Sequence, residues 1–345
     1  MTKQIKIGNV YIGAGNKIAV QSMTNTATNN VAETVKQIKM LEEVGCDVIR
    51  VAVANQNDAL AIKEIKKQIN IPLVADIHFD YKLAILSVQS GADKIRINPG
   101  NIDSDEHLAE VIECAKKYGV AIRIGVNGGS LNKQSFEQYG NSAMALADSA
   151  LRYIDFFEKQ GFFDIVLSVK SSSVQKTIEA CRIIASKTDY PQHIGVTESG
   201  CGELAKAKSA IGIGSLLVDG IGDTIRVSLT DDPVNEVIFA KEILKAVGKD
   251  KDFCEVISCP SCGRCQFDLI GTAQKVKDYV KDIKKPLKVA VMGCVVNGPG
   301  EAKDADLGLA GGKGKVVFFK KGEVYRTVES NDVLNEFLKE IDFIK

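Results

Sequence analysis

The chain has 345 residues, 45% of them apolar, and its 44 basic residues balance 44 acidic ones. That is enough apolar material for at least one large core, and the neutral balance gives no global basic surface of the kind that binds nucleic acid. The N-terminal MTKQIKIGNV lacks the apolar run of a signal peptide, and no apolar stretch approaches the ~20 residues of a membrane helix, so a soluble cytoplasmic protein is expected.

A hairpin is predicted at 4–13, turning at Gly8-Asn9. Eight β-rich runs follow: AVQSMT (19–24), VIRVAV (48–53), LVADIHF (73–79), KIRINP (94–99), AIRIGVN (121–127), DIVLSVK (164–170), HIGVTE (193–198) and TIRVSLT (224–230). Their starts lie 29, 25, 21, 27, 43, 29 and 31 residues apart. One strand, one helix and two short loops need about that length. The long gap holds a polar insertion, GGSLNKQSFEQYGN. Between the runs the apolar residues take helical spacing, as in Val31, Val35, Ile38, Leu41 and Val44. Gly45, Gly91 and Gly119 stand where a helix ends in a left-handed residue. Asp232-Pro233 reads as N-cap and first residue of a closing helix that reaches about Val247. Eight βα units predict a (β/α)8 TIM-type barrel over residues 1–248. An open doubly wound sheet rarely needs eight parallel strands, and no GxGxxG follows the first one.

The composition changes after 248, and residues 249–345 are predicted to form a separate small α+β domain. A charged connection (249–258) leads to a cysteine segment. A helix (271–284), a strand (287–292), a glycine-rich loop (297–314), a hairpin (315–327) and a final helix (331–342) follow.

Side chains of a strand alternate between its faces, so parity sorts the polar residues of the eight runs. Arg50, Asp76 with His78, Arg96 with Asn98, Arg123 with Asn127, Ser168 with Lys170, and Arg226 with Ser228 share parity within their strands, and Glu198 ends the seventh. If these faces point inward, four arginines and a lysine converge at the C-terminal mouth, where barrel enzymes keep their active sites. Only Asp76 and Glu198 stand at comparable positions to neutralise them. Unpaired buried cations are costly, so such a mouth expects a polyanion, and a diphosphate suits guanidinium forks. Glu198 would be ionised there, able to move a proton or to pair with Arg226 or Lys170. His107 and His193 are expected to be packed or exposed residues without a role.

The second constellation reads SCPSCGRC at 258–265 and GCVVNGPGEA at 293–302. Nine cysteines in a reducing compartment are not expected to pair as disulfides, and clustering points to metal instead. Cys259 and Cys262, spaced C-x2-C, present two thiolates from one turn. With Cys294 and the carboxylate of Glu301 they make a donor set for an iron–sulfur cluster, and the harder carboxylate is its labile member. A four-cysteine zinc site using Cys265 meets the same spacing. Cys46, Cys114, Cys181 and Cys254 read as small apolar residues.

Taken together, QSMTNT (21–26), VADIHF (74–79), RINPGN (96–101), RIGVNGGSL (123–131), GVTESG (195–200), the run 209–233, ISCPSCGR (257–264) and MGCVVNGPGEA (292–302) make the chain resemble, nearly end to end, the bacterial 4-hydroxy-3-methylbut-2-enyl diphosphate synthases of the methylerythritol phosphate route to isoprenoids. The resemblance implies a [4Fe–4S] cluster on Cys259, Cys262, Cys294 and Glu301. It implies a diphosphate site lined by Arg50, His78, Arg96, Asn98, Arg123, Asn127, Lys170, Arg226 and Ser228. Thr197 and Glu198 match a polar pair beside the substrate, with Glu198 the acid/base group, and Asn297 matches an asparagine near the cluster. The implied reaction opens and dehydroxylates 2-C-methyl-D-erythritol 2,4-cyclodiphosphate with two electrons from a flavodoxin or ferredoxin. The implied assembly is a head-to-tail homodimer whose active site is completed in trans. Cys265 and Cys201 depart from the family pattern. An alternative keeps the barrel but makes it a sugar-phosphate aldolase or isomerase, with Lys170 as Schiff-base nucleophile and a structural zinc appendage.

Overall fold

The computed structural model describes residues 1–129, 131–265, 267–312, 314–329 and 332–345. It divides into two units, Met1–Lys249 and Asp250–Lys345.

The first unit opens with a hairpin of β1 (Ile5–Ile7) and β2 (Val10–Ile12). Eight parallel strands follow: β3 (Ala19–Met23), β4 (Val48–Ala52), β5 (Leu73–Asp76), β6 (Lys94–Ile97), β7 (Ala121–Asn127), β8 (Ile165–Lys170), β9 (His193–Ile194) and β10 (Thr224–Ile225). Their order is β8-β7-β6-β5-β4-β3-β10-β9. The ends meet through a bridge between Leu167 and Gln192, with Leu167 N donating to Pro191 O at 2.9 Å. The sheet is therefore the predicted barrel.

Helices α1 (Val31–Glu43), α2 (Gln56–Lys66), α3 (Tyr81–Gln89), α4 (Asp105–Tyr118), α5 (Lys133–Tyr139), α6 (Ala143–Lys159), α7 (Val174–Lys187), α8 (Gly202–Val218) and α9 (Pro233–Ala246) connect or follow the strands. Most begin at a side-chain cap: Asn30, Asn55, Asp80, Ser104, Ser142, Ser173 and Asp232 each accept a backbone N–H of the first turn. Gly45, Gly91 and Gly119 have φ of 87°, 97° and 64°, the left-handed conformation expected of them. Outward strand residues such as Ile49, Ile95, Ile122 and Leu167 pack on the helices in one apolar cluster. Inward residues at the N-terminal end (Ala19, Val48, Val74, Ala121 and Val166) pack on Ile5, Ile7 and Ile12. The hairpin thus stoppers the N-terminal end of the barrel, and the polar interior faces the C-terminal strand ends.

Three elements depart from the sequence reading. The polar insertion holds α5, capped by Asn132, and docks through polar bonds: Ser135 Oγ donates to Asp148 at 2.6 Å, and Arg152 Nε donates to the same carboxylate at 2.7 Å. Its helix lacks an apolar face for periodicity to reveal; Ser130 lies outside the described residues. Strands β9 and β10 are two residues each, because the chain leaves the sheet after Gly195 and Arg226 to form loops at the mouth.

The second unit is a five-stranded sheet of β11 (Cys254–Ser258), β12 (Leu287–Met292), β13 (Leu307–Gly311), β14 (Lys315–Lys320) and β15 (Glu323–Glu329), in that order. The first three run parallel and the last two antiparallel. Helices α10 (Leu269–Val280) and α12 (Val333–Asp342) cover one face through Val276, Val280, Phe337 and Ile341. Ala302 and Ala305 cover the other, beside the short helix α11 (Gly298–Glu301). The charged connection thus contains a strand, β11. The glycine-rich loop contains α11 and β13, where a Cβ on Gly308 would sit 2.1 Å from the Phe319 ring. That glycine serves packing rather than a turn. Lys313, in the same loop, and Asn331, where the last helix was expected to start, lie outside the described residues.

Candidate functional site

Cross-strand register carries the predicted parities inward. Arg50 pairs with Val74, Asp76 with Arg96, Arg96 with Arg123, and Asn127 with Lys170, and paired residues share a face. Arg50, Arg96, Arg123, Lys170 and Arg226 accordingly surround one cavity of about 80 Å³, completed by Gly125, Asn127, Ser168, Thr197 and Ser228. Asn98 is buried at the end of β6, and its side chain accepts the Gly100 N–H at 3.2 Å. A hollow of about 600 Å³ opens at the opposite end of the barrel, but its walls mix Lys17 and Lys249 with Asp189 and Asp219.

Asp76 is the hub of the pocket. Arg50 Nη2 donates to its Oδ2 at 2.8 Å and Arg96 Nη1 to its Oδ1 at 3.3 Å. His78 Nε2 lies 3.2 Å from Asp76 Oδ2 and 3.4 Å from Arg96 Nη1, with its ring half open to solvent. Burial works to raise the Asp76 carboxyl, but Arg50, the bond from His78 and Arg96 outweigh it and hold it far below the usual carboxylate range. Arg123, wholly buried, has a neutral partner: its Nη1 donates to Gln21 Oε1 at 3.3 Å. Burial and then Arg50 bring the Arg226 guanidinium down to about 10, and its nearest carboxylate oxygen, on Glu236, is 4.0 Å away.

Glu198 does not neutralise this cluster as expected. It is exposed in the loop after β9, at φ 54°, a left-handed backbone that a non-glycine residue rarely adopts. Glu236, on α9, takes the place foreseen for it. Four pocket residues escaped the sequence reading: Gln21, Lys94, His193 and Glu236. Lys94 shares parity with Arg96 and was readable; Glu236 comes from a helix and was not. His193 is buried, the packed alternative expected of it. Its Nε2 lies 3.4 Å from Lys170 Nζ, and its Nδ1 lies 2.7 Å from Thr224 Oγ1.

In the second unit β11 and β12 run parallel in register, Ser258 opposite Val291. The loops leaving them therefore start side by side, which brings Cys259 and Cys294 to one end of the sheet. Gly293 N donates to Cys259 Sγ at 3.1 Å. A Cβ on Gly293 would stand 3.3 Å from Cys265 Sγ and 3.4 Å from Cys259 Sγ, so glycine leaves the sulfurs their room. Cys265 N donates to Cys262 O at 2.9 Å, closing the turn between them. The backbone N–H and then the side chain of Arg264 lower the exposed Cys262 thiol. Asn297 Nδ2 donates to Glu301 Oε1 at 3.4 Å. Soft thiols with an amide donor already aimed at one sulfur, and one carboxylate nearby, suit an iron–sulfur group. Among the described residues no three such side chains are gathered at ligating geometry. Cys201 is exposed at the start of α8. No helix among the described residues is long and apolar enough to cross a membrane.

Fold and sites together define a TIM-barrel protein with a cation-lined pocket and a separate cysteine-bearing α+β unit. Residues 2–241 match the family model described as the GcpE TIM-barrel domain, and residues 255–343 match the GcpE protein C-terminal domain. The chain belongs to the GcpE family. It is 59% identical, over 99% of its length and 97% of the relative's, to the 4-hydroxy-3-methylbut-2-en-1-yl diphosphate synthase (flavodoxin) of Caldanaerobacter subterraneus subsp. tengcongensis. It is 53% identical, over 99% of both chains, to the enzyme of the same name from Clostridium perfringens. Among solved structures, the Yersinia pestis dihydropteroate synthase superposes at TM-score 0.52 with 12% identity, covering 72% of this chain and 98% of that one. That likeness concerns the barrel fold alone.

Proposed function

We propose that the protein reduces 2-C-methyl-D-erythritol 2,4-cyclodiphosphate to 4-hydroxy-3-methylbut-2-enyl diphosphate, with flavodoxin as electron donor and ferredoxin as the possible substitute. The observation that carries this reading is the cavity of β4, β6, β7, β8 and β10: four arginines and a lysine around one space, with Asp76 and Glu236 as the buried carboxylates that reach them. Family membership and the names of close relatives support it. They lend nothing to the aldolase alternative.

In this reading Arg50, Arg96, Arg123, Lys170 and Arg226 clamp the diphosphate, and His78, Asn98, Asn127, Thr197 and Ser228 fix its orientation by hydrogen bonds. The same cations stabilise the phosphate oxygen released when the ring opens. Glu198, exposed in the loop after β9, supplies the proton with which the C3 hydroxyl departs as water. Cys259, Cys262, Cys294 and Glu301 would hold a [4Fe–4S] cluster, which when bound supplies electrons singly. Asn297 restrains the Glu301 carboxylate. The protein is cytoplasmic and works as a head-to-tail homodimer with each active site completed in trans.

The test is turnover of the cyclic diphosphate by anaerobically purified protein with reduced flavodoxin. The expected product is the allylic diphosphate, formed with four irons and four sulfides per chain. Protein with a full cluster that binds the cyclic diphosphate but never reduces it would overturn the reading. One zinc and no sulfide would do the same.

A further inference from the structure

Beneath the pocket lies a second polar layer that the reaction as described leaves without a task. Lys94 pairs with Val74 and Ala121, and Thr224 with Ala19 and His193. Val74, Ala121 and Ala19 point into the barrel onto the hairpin, so Lys94, His193 and Thr224 point there too. Lys94 is fully buried, and its Nζ has no hydrogen-bond partner among the described residues. His193 bridges Lys170 and Thr224.

Charge accounting shows what this layer does. Asp76 answers Arg50 and Arg96; Glu236 stands 4.0 Å from Arg226; Arg123 is bonded to the Gln21 amide and forms no ion pair among the described residues. Four guanidiniums against two carboxylates already give the barrel surplus positive charge. Three further basic groups cannot all be protonated beside them at neutral pH. Burial, then Arg123, press on all three. Arg226 and Arg50 add to this at Lys170, Lys170 and Lys94 at His193, and Arg50 at Lys94, so each is held well below its usual value. Glu236 opposes this at Lys170. The nearby Cys181 thiol is neutral, pushed up to about 12 by burial.

We propose that Lys94, Lys170 and His193 form a proton acceptor beneath the pocket, which takes up at least one proton from solvent each time a cyclic diphosphate binds. This rests on the substrate reading above. The ligand brings two negative charges to a site with excess positive charge, which restores the affinity of these bases for protons. The proton stays on the protein. Ring opening converts the cyclic dianion, two electrons and one proton into water and an allylic diphosphate trianion, and the added charge of the product meets an ammonium or imidazolium already in place.

The experiment is calorimetric titration of the cluster-loaded full chain with the cyclic diphosphate, without reductant, at one pH in two buffers of different ionisation enthalpy. A cyclic diphosphate has only strongly acidic hydroxyls, so any proton counted belongs to the protein. The expected result is uptake of one proton or more, with affinity falling about tenfold per pH unit for each proton taken up. Equal binding heats in both buffers would overturn the proposal. Absence of any binding would instead overturn the substrate reading. His193→Gln and Lys94→Met should each lower the count; full uptake in both would place the protons elsewhere and refute the assignment. Should either variant fail to fold, nitrogen NMR of the parent's three histidines decides, since His193 should shift toward imidazolium on binding. A ring that stays neutral, with an unchanged lysine spectrum, would also refute it.

Discussion

Asp76 joins two strands' worth of arginine to one carboxylate, and that makes its removal asymmetric. Asp76→Asn keeps the shape but leaves Arg50 and Arg96 facing each other with no counter-charge. Breaking a buried pair from one side costs about 3–5 kcal/mol. Denaturant unfolding of the barrel should show that loss, and cyclic diphosphate at a hundredfold excess over its Kd should return about 2.7 kcal/mol of it. The carboxyl is also a source of acid sensitivity. Its folded value lies below the unfolded one of about 3.9, so its contribution is complete above that pH and is lost as pH falls toward the folded value. Lys94 works in the other direction. An unfolded lysine holds its proton up to about pH 10.4 while burial lowers the folded one, so stability rises with pH from the folded value up to the unfolded one. Lys94→Met should flatten that rise and stabilise the ligand-free protein by about 1–4 kcal/mol. A less stable variant with an unchanged slope would contradict this. The cations of the pocket were legible from strand parity alone. Their partners were legible only in part: Asp76 follows from the same parity, while Glu236 reaches the barrel from α9 and Glu198 lies exposed in the loop after β9.

At the scale of elements, β7 carries a constraint that bears directly on the pocket. A Cβ on Gly125 would lie 2.7 Å from Arg96 Nε. Gly125→Ala therefore leaves the strand intact but dislodges the guanidinium from Asp76. A charge-assisted bond is worth about 1.5–3 kcal/mol, so KM should rise about 10- to 100-fold, and the melting temperature should fall because Asp76 loses one of its two arginines. Helix boundaries read well from sequence because caps are local chemistry; Asp232 and Pro233 begin α9 where expected. Strand β11 read poorly because its sequence, CEVIS, follows a charged stretch and gains its meaning from pairing with β12. The consequence reaches the cysteines, since it is that pairing which starts the loops of Cys259 and Cys294 at neighbouring points. Strand β13 was hidden for the opposite reason, its Gly308 being dictated by the Phe319 ring across the sheet and its Gly311 by the Phe267 ring.

At the scale of the molecule, each unit has its own apolar core, the larger around the barrel and the smaller between sheet and helices. Residues 1–249 should therefore fold alone and bind the cyclic diphosphate without reducing it, as calorimetry on the fragment would show. The proposed head-to-tail dimer makes a sharper prediction. Arg123→Met disables a barrel and Cys259→Ser a cluster site, and each variant alone should be inactive. Random re-pairing of the two in equal amounts should restore about a quarter of parental activity, since half the dimers are mixed and each holds one intact site. No recovery from verified mixed dimers would place each active site within one chain.

The stopper at the foot of the barrel also sets an order of events during synthesis. Ile5, Ile7 and Ile12 leave the ribosome before any strand of the barrel, yet the floor they seal includes Val166, and the chain around them is fastened by Thr2 Oγ1 donating to Asp223 at 2.7 Å and by Lys3 N donating to Asp189 O. At about 5–20 residues per second, the wait for the last of these partners is on the order of ten to forty seconds. Through that interval three isoleucines have nothing to cover them. The nascent chain should accordingly be a client of ribosome-associated chaperones until β10 emerges, and shortening the hairpin should relieve that dependence while leaving the finished barrel open at its base.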